Sequence, residues 1–177
     1  MNPIERIQQA IAGTGAVCSP IAQADILYDT VFRDICASNA CGHYGRCHMC
    51  PPDVGPIDEL IARAKEYSCG VLYQNIYEIE DSFDIEGMLD AGKAHHAFSS
   101  RIRDLLQDMD VLHLTAGGCG QCERCAKQDG LPCRFPEKAL PSLESYGVNV
   151  HRTAENAGLK YINGANTVTY FGLVLVR

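Results

Sequence analysis

The sequence predicts an α/β protein of the α+β kind: a small mixed β-sheet flanked by helices and carrying two cysteine-rich metal-binding loops. Three observations lead there. Segments of helical period alternate with short β-branched and aromatic runs along the chain. The stretch Thr167 to Val176 is apolar on both alternations, as a strand covered on two faces requires. Eight of the ten cysteines fall into two compact groups, each in a segment broken by glycine and proline.

Taken in order, Asn2-Pro3-Ile4-Glu5 opens a helix: Asn2 caps, Pro3 suits the first helical position, and Glu5 favours the positive end. Ile4, Ile7 and Ile11 share one face, and Gly13-Thr14-Gly15 ends the element. Ile26 to Ile35 reads as an extended segment feeding the first cysteine group. From Cys36 to Pro56 the residues Gly42, Gly45, Pro51, Pro52 and Gly55 predict a loop. Pro56 then starts a helix with Ile57, Leu60, Ile61, Ala64 and Tyr67 on one side, stopped at Gly70, and Val71 to Ile79 reads as a strand.

The longest helix is expected from Glu86 to Asp108. Its apolar stripe is Met88, Ala91, His95, Phe98, Ile102, Leu105 and Met109, with one histidine in it. Val111 to Leu114 is a short strand that delivers the chain into Gly117-Gly118-Cys119. Pro141 to Tyr146 and His151 to Ala157 read as short helices. Leu159 to Ile162, the turn Asn163-Gly164, and Thr167 to Val176 read as a hairpin whose second strand is central. No repeat of fold size appears, and residues 1–177 read as one domain with metal-binding loops at 36–52 and 117–136.

The bulk properties exclude several classes. A net charge of −7 and a pI near 5.3 argue against nucleic acid as the partner. No run approaches the roughly 20 apolar residues that span a bilayer, so no membrane association is expected. The start Met1-Asn2-Pro3-Ile4-Glu5-Arg6 lacks the basic and apolar regions of a secretory signal, which predicts a cytoplasmic protein with reduced thiols. Ten cysteines in a reducing compartment point to metal or redox chemistry rather than to disulfides.

The second group, Cys119-x2-Cys122-x2-Cys125-x7-Cys133, is the sharper of the two. Three cysteines at successive CxxC steps place three sulfurs around one corner of an iron–sulfur cube, and a fourth arriving later closes the cage. Structural zinc instead pairs two CxxC-like hooks across a longer loop, so iron–sulfur is the better reading here. Gly117, Gly118 and Gly120 let the backbone curl around a cluster and expose N–H groups to it. Arg124, Lys127 and Arg134 are positioned either to offset its charge or simply to be solvated.

The first group, Cys36-x4-Cys41-x5-Cys47-x2-Cys50, encloses four thiols within fifteen positions. It reads as a second [4Fe–4S] site, and its spacing also fits zinc with His43 or His48 in place of a cysteine. Cys18 and Cys69 stand alone and read as small buried hydrophobes. His95 reads as a core histidine, although either His95 or His96 is placed to lie near a cluster. No phosphate-binding glycine loop and no nucleophile elbow occur.

Several motifs together resemble the DUF2284 family of predicted metal-binding proteins. They are Cys41-Gly42-His43-Tyr44-Gly45 with Cys50-Pro51-Pro52, Ala116-Gly117-Gly118-Cys119 through Cys125, and Cys133-Arg134-Phe135-Pro136. Pro141 through Val150 and Thr169-Tyr170-Phe171-Gly172-Leu173-Val174-Leu175 complete the set. The resemblance covers most of the chain and implies cysteine-bound metal, with no established reaction or substrate. The chain departs from the family's pattern in one respect: its first cysteines lie farther apart, and a thiol at Cys47 is not expected. The first metal therefore has either four cysteine ligands or three with an open position.

The resulting expectation is a protein with two [4Fe–4S] clusters, held by Cys36, Cys41, Cys47 and Cys50 and by Cys119, Cys122, Cys125 and Cys133. It would act in electron transfer or as a redox subunit, with a redox partner protein whose basic patch matches this acidic surface. Two alternatives remain. One is an enzyme with a substrate-accessible iron, where Tyr44, His43 and His48 are the polar candidates. The other is a zinc-stapled structural or interaction module.

Overall fold

Thr167–Val176 forms the strand that organises the sheet. The structure, a computed structural model, describes residues 2–177. Four strands, β1 (Val17–Ala22), β2 (Cys69–Glu78), β3 (Val111–Leu114) and β4 (Thr167–Val176), lie in the order β1-β2-β4-β3. Each neighbouring pair is antiparallel; Tyr73 faces Gly172 across β2–β4, and Val111 faces Val176 across β3–β4. An isolated parallel bridge joins Thr115 to Ser142 beyond the end of β3. The helices are α1 (Pro3–Ile11), α2 (Val31–Ala37), α3 (Ile57–Ala64), α4 (Ile85–Leu105) and α5 (Val150–Asn156).

Strand alternation sorts the core into two layers. On one face Val71, Tyr73, Val174 and Val176 meet Ile7 and Ile11 of α1 and Ile102 of α4. On the other, Leu72, Leu112, Leu114, Phe171, Leu173 and Leu175 meet Leu60 and Ala64 of α3 and Val150 and Ala154 of α5. Burying one such Leu, Val or Phe contributes about 1.5–3 kcal/mol, so β4, whose last six residues are all buried, is a major stabilising element. Its central place is the one its two-sided apolar pattern predicts.

The helix boundaries follow their caps. Asn2 and Glu5 form a capping box at α1, and the Asp84 side chain accepts the Gly87 N–H at the start of α4. Two expectations are corrected and one strand is added. Ile26 to Ile35 is not an extended segment: apart from a bridge between Tyr28 and Val148 it enters α2, which carries Cys36 on its last turn rather than in a loop. Leu159 to Ile162 forms no strand, so the hairpin is absent and β4 pairs with β2 and β3 instead. Val17–Ala22, not anticipated, is an edge strand, the place where Pro20 lacks no ladder donor that matters.

Between α4 and the sheet lies a buried polar chain. The Tyr73 hydroxyl is 2.8 Å from both Ser99 Oγ and His113 Nε2, and Ser99 Oγ is 2.9 Å from Thr115 Oγ1. Thr115 Oγ1 is in turn 3.2 Å from His95 Nε2, which donates to the Phe171 carbonyl, while His95 Nδ1 lies 3.0 Å from Asn75 Oδ1. His95 is thus a core histidine with both ring nitrogens in polar contact, as expected. Tyr73 reaches this chain only because its ring lies over Gly172: a Cβ there would stand 2.1 Å from the ring. Gly172→Ala should therefore destabilise the protein by about 1–3 kcal/mol in a denaturant titration, with Tyr73 forced off its partners.

Burial pulls His95 down to about 4 and His113 down to about 3 from the ordinary 6.5. Between those values the unfolded chain binds protons that the native chain does not. The stability from neutral histidines is therefore complete above pH 6.5 and lost as pH falls toward 4 and then 3. Melting temperature should fall from pH 6.5 to 5, above the range where exposed carboxylates titrate. His113→Gln should flatten that slope.

Candidate metal centre

Both cysteine groups sit at the end of the molecule where β3 runs out and α2 ends. Cys36 is on the last turn of α2, and Cys41, Cys47 and Cys50 follow on a chain of tight turns. Asn39 and Gly42 take positive φ, the Asn39 side chain accepts the Tyr44 N–H at 3.0 Å, and the Gly45 N–H reaches the Pro51 carbonyl at 2.9 Å. Arg33 holds this segment to the body by donating to the carbonyls of Gly55 and Ser145. The second segment leaves β3 at Thr115, passes Gly117 and Gly120 at positive φ, and includes a short 3-10 turn over Ala126–Asp129.

The two segments dock on each other. Arg46 donates to Gln128 Oε1 at 2.9 Å, His48 donates to the Leu131 carbonyl at 2.8 Å, and Lys127 pairs with Asp53 at 2.5 Å. Lys127 is therefore committed to a carboxylate. Arg124 pairs with Asp129 at 2.7 Å and Arg134 donates to the Arg124 carbonyl, so these cations serve the loop itself.

A cavity of about 900 Å³ opens between these segments and α4. Cys47, Cys119, Cys122, Cys125 and Cys133 line it, with His43, His48, His96 and Tyr170; Cys36, Cys41 and Cys50 do not. All ten cysteines are free thiols. Cys18 and Cys69 are half-buried against the α1 and α4 side of the sheet, in the packing role expected.

The thiols differ electrostatically. Cys47 is pulled down to about 5, foremost by hydrogen bonding with the Cys50 thiol, then against burial by the Cys119 and Met49 backbone and the Cys125 thiol. Cys50 is pushed up by the same Cys47 contact, by burial, and by the charges of Cys47, Cys41 and Cys36. Burial raises Cys36, with Glu144 and Cys41 adding to the rise and Arg33 opposing it. Burial likewise raises Cys119, against the N–H groups of Gln121 and Leu140. A cation or cluster would reverse this by favouring every thiolate at once.

His96 is the residue that sequence reasoning left undecided. Its Nε2 donates to the Ala116 carbonyl at 2.9 Å, and its Nδ1 is set against Gly120. A Cβ on Gly120 would stand 1.8 Å from that Nδ1, and one on Gly118 would stand 3.1 Å from the His43 ring. The glycines thus let two imidazoles close over the second cysteine segment. The helical period assigns His95 to the core face, and the rotation of α4 carries His96 to the cavity.

Among the described residues, no three His, Cys, Asp or Glu side chains converge tightly enough to grip one ion. The arrangement is a lined cavity with thiols spread along its wall. Gly120→Ala should displace the loop from His96 and add left-handed strain, for a loss of about 1–3 kcal/mol in melting experiments and reduced metal content in the purified protein.

The family described as "Predicted metal-binding protein (DUF2284)" matches residues 19–176. No curated protein and no solved structure matches the chain. The matched span takes in both cysteine segments, the cavity they share with α4, and nearly all of the sheet. The chain therefore belongs to the DUF2284 family of predicted metal-binding proteins.

Proposed function

We propose that this protein holds two [4Fe–4S] clusters through its grouped cysteines and works in electron transfer, as a carrier or as the redox subunit of a larger enzyme. The observation that supports it most is the wall of the cavity. Five thiols lie there beside a glycine-rich backbone, in a space of about 900 Å³. A tetrahedral zinc site needs sulfurs about 3.8 Å apart, from a Zn–S bond of about 2.3 Å. A cube with separated irons accepts thiols from successive steps of one loop better than a single ion does, which favours the cluster over zinc.

Such a cluster, when bound, supplies a one-electron redox couple. The chain's own contributions follow from position. Backbone N–H groups around Gly117 to Gly120 would stabilise sulfur charge, and α4 lines the cavity beside the second segment. Cys47 touches both Cys50 of its own segment and Cys125 of the other, which provides a short route between two redox centres. The surface carries a net charge of −7, so the matching redox partner presents a basic patch. Ten free thiols fit a reducing, cytoplasmic setting, and among the described residues no helix is long and apolar enough to cross a membrane.

A second reading, an enzyme with a substrate beside the cluster, draws on the part of the cavity beyond the cysteines. It continues along Met88, Leu89, Gly92 and Lys93 of α4, and its volume falls in the roughly 300–1,000 Å³ range of small-molecule sites. His96 joins His43 and His48 on this wall, its Nε2 tied to the Ala116 carbonyl as that of His48 is to the Leu131 carbonyl.

Anaerobic purification with metal analysis tests the proposal. The expected result is brown protein with about eight irons and eight acid-labile sulfides per chain and a paramagnetic signal on reduction. Colourless protein carrying zinc under the same anaerobic conditions would overturn it in favour of a structural metal.

A further inference from the structure

We propose that Cys47 is a metal ligand of the second cysteine group, so that the eight grouped thiols divide into an outer trio, Cys36, Cys41 and Cys50, and a cavity set comprising Cys47 with Cys119, Cys122, Cys125 and Cys133. The inference rests on the metal reading above and changes its ligand assignment, which sequence spacing had divided four and four.

Three observations carry it. First, Cys47 lines the cavity together with the four cysteines of the second segment, and the other three thiols of its own segment do not. Second, both sequence neighbours of Cys47 are pinned to the opposite loop: Arg46 to Gln128 and His48 to the Leu131 carbonyl. With Lys127 held by Asp53 a few residues on, the backbone around Cys47 is fixed against the second segment over its whole width. Third, Cys47 is only 5% exposed and Cys50 7%, whereas Cys36 is half-buried and Cys41 exposed, so of the two buried thiols of the first segment only Cys47 also lines the cavity. A thiol buried at the seam between two loops faces what the seam encloses.

The contacts of the neighbouring thiols divide the same way. Cys47 meets the Cys119 backbone and the Cys125 thiol, whereas Cys50 and Cys36 each feel the charge of Cys41. Cys47 and Cys50 also touch, which places the boundary between the two sets at that contact. A cube takes four sulfurs, so the cavity set holds one thiol more than it needs. The outer trio holds one fewer, and a cluster there presents one iron to a non-sulfur ligand.

Paired serine substitutions in the full chain, reconstituted anaerobically with iron and sulfide, decide the matter. Cys41→Ser should remove about half of the iron, whereas Cys47→Ser and Cys125→Ser should each keep nearly all of it, because four cavity thiols remain. The double variant Cys47→Ser/Cys125→Ser should lose more than either single variant and no more than about half, because both act on one cluster. Cys47→Ser/Cys41→Ser should lose no more than Cys41→Ser alone. A Cys47→Ser or Cys125→Ser protein that loses half of its iron by itself, or a Cys47→Ser/Cys125→Ser protein that loses nearly all of it, would overturn the assignment; melting curves confirm that each variant is folded.

If the unsubstituted protein takes up no iron, the cluster reading fails, and the placement of Cys47 is read separately. In metal-free Cys50→Ser protein, mild diamide oxidation followed by peptide mass mapping should link Cys47 to Cys119 or Cys125. A link to Cys36 or Cys41 would place Cys47 with the outer thiols and sink the proposal.

Discussion

Burial of β4 on both faces is the constraint on which the rest of the structure depends. Phe171, Leu173, Val174, Leu175 and Val176 are each at most 4% exposed, and each contributes about 1.5–3 kcal/mol by leaving water. Two helical layers have to cover the strand, and β2 and β3 have to flank it. Those flanks set the position of the cysteine segments. The first returns through α3 into β2, and the second starts where β3 ends. The site is thus anchored to the most stable part of the fold while lying at its rim.

The contacts that dock the two cysteine segments act on geometry more than on stability. Arg46–Gln128 is exposed, and ion pairs such as Arg124–Asp129, with both side chains well exposed, are worth about 0–1 kcal/mol. The hydrophobic layers hold the fold, and weak polar contacts fix which thiols face one another. Metal binding would then add free energy in the region where the apoprotein has least of its own.

The polar chain from His113 through Tyr73, Ser99 and Thr115 to His95 joins the core to the rim. Thr115 ends β3, its hydroxyl is held inside the chain, and two residues later the backbone turns at Gly117 toward Cys119. Leaving a buried member of such a chain unpaired costs about 1–3 kcal/mol, so the exit angle of the second cysteine segment is tied to core packing. His113 Nδ1 is the buried nitrogen of the chain without a partner, which accounts for the strong burial penalty on its protonation.

Periodicity and caps were enough to read α1, α3, α4, β3 and β4, because in those segments local preference and burial agree. β1 escaped detection since six residues interrupted by Pro20 carry too little alternation to be told from a loop. Leu159 to Ile162 imitated a strand because the Asn163-Gly164 turn is a genuine hairpin signal, yet α5 and the core leave that segment no partner. The cysteine spacing likewise revealed thiols grouped for metal, as chain-local geometry should. It divided them by sequence, with Cys47 beside Cys50. Only the docking of residues 46–53 on residues 127–131 turns Cys47 toward thiols more than 70 positions away. Contacts between distant segments depend on how helices and strands stack, and spacing along the chain holds no record of that.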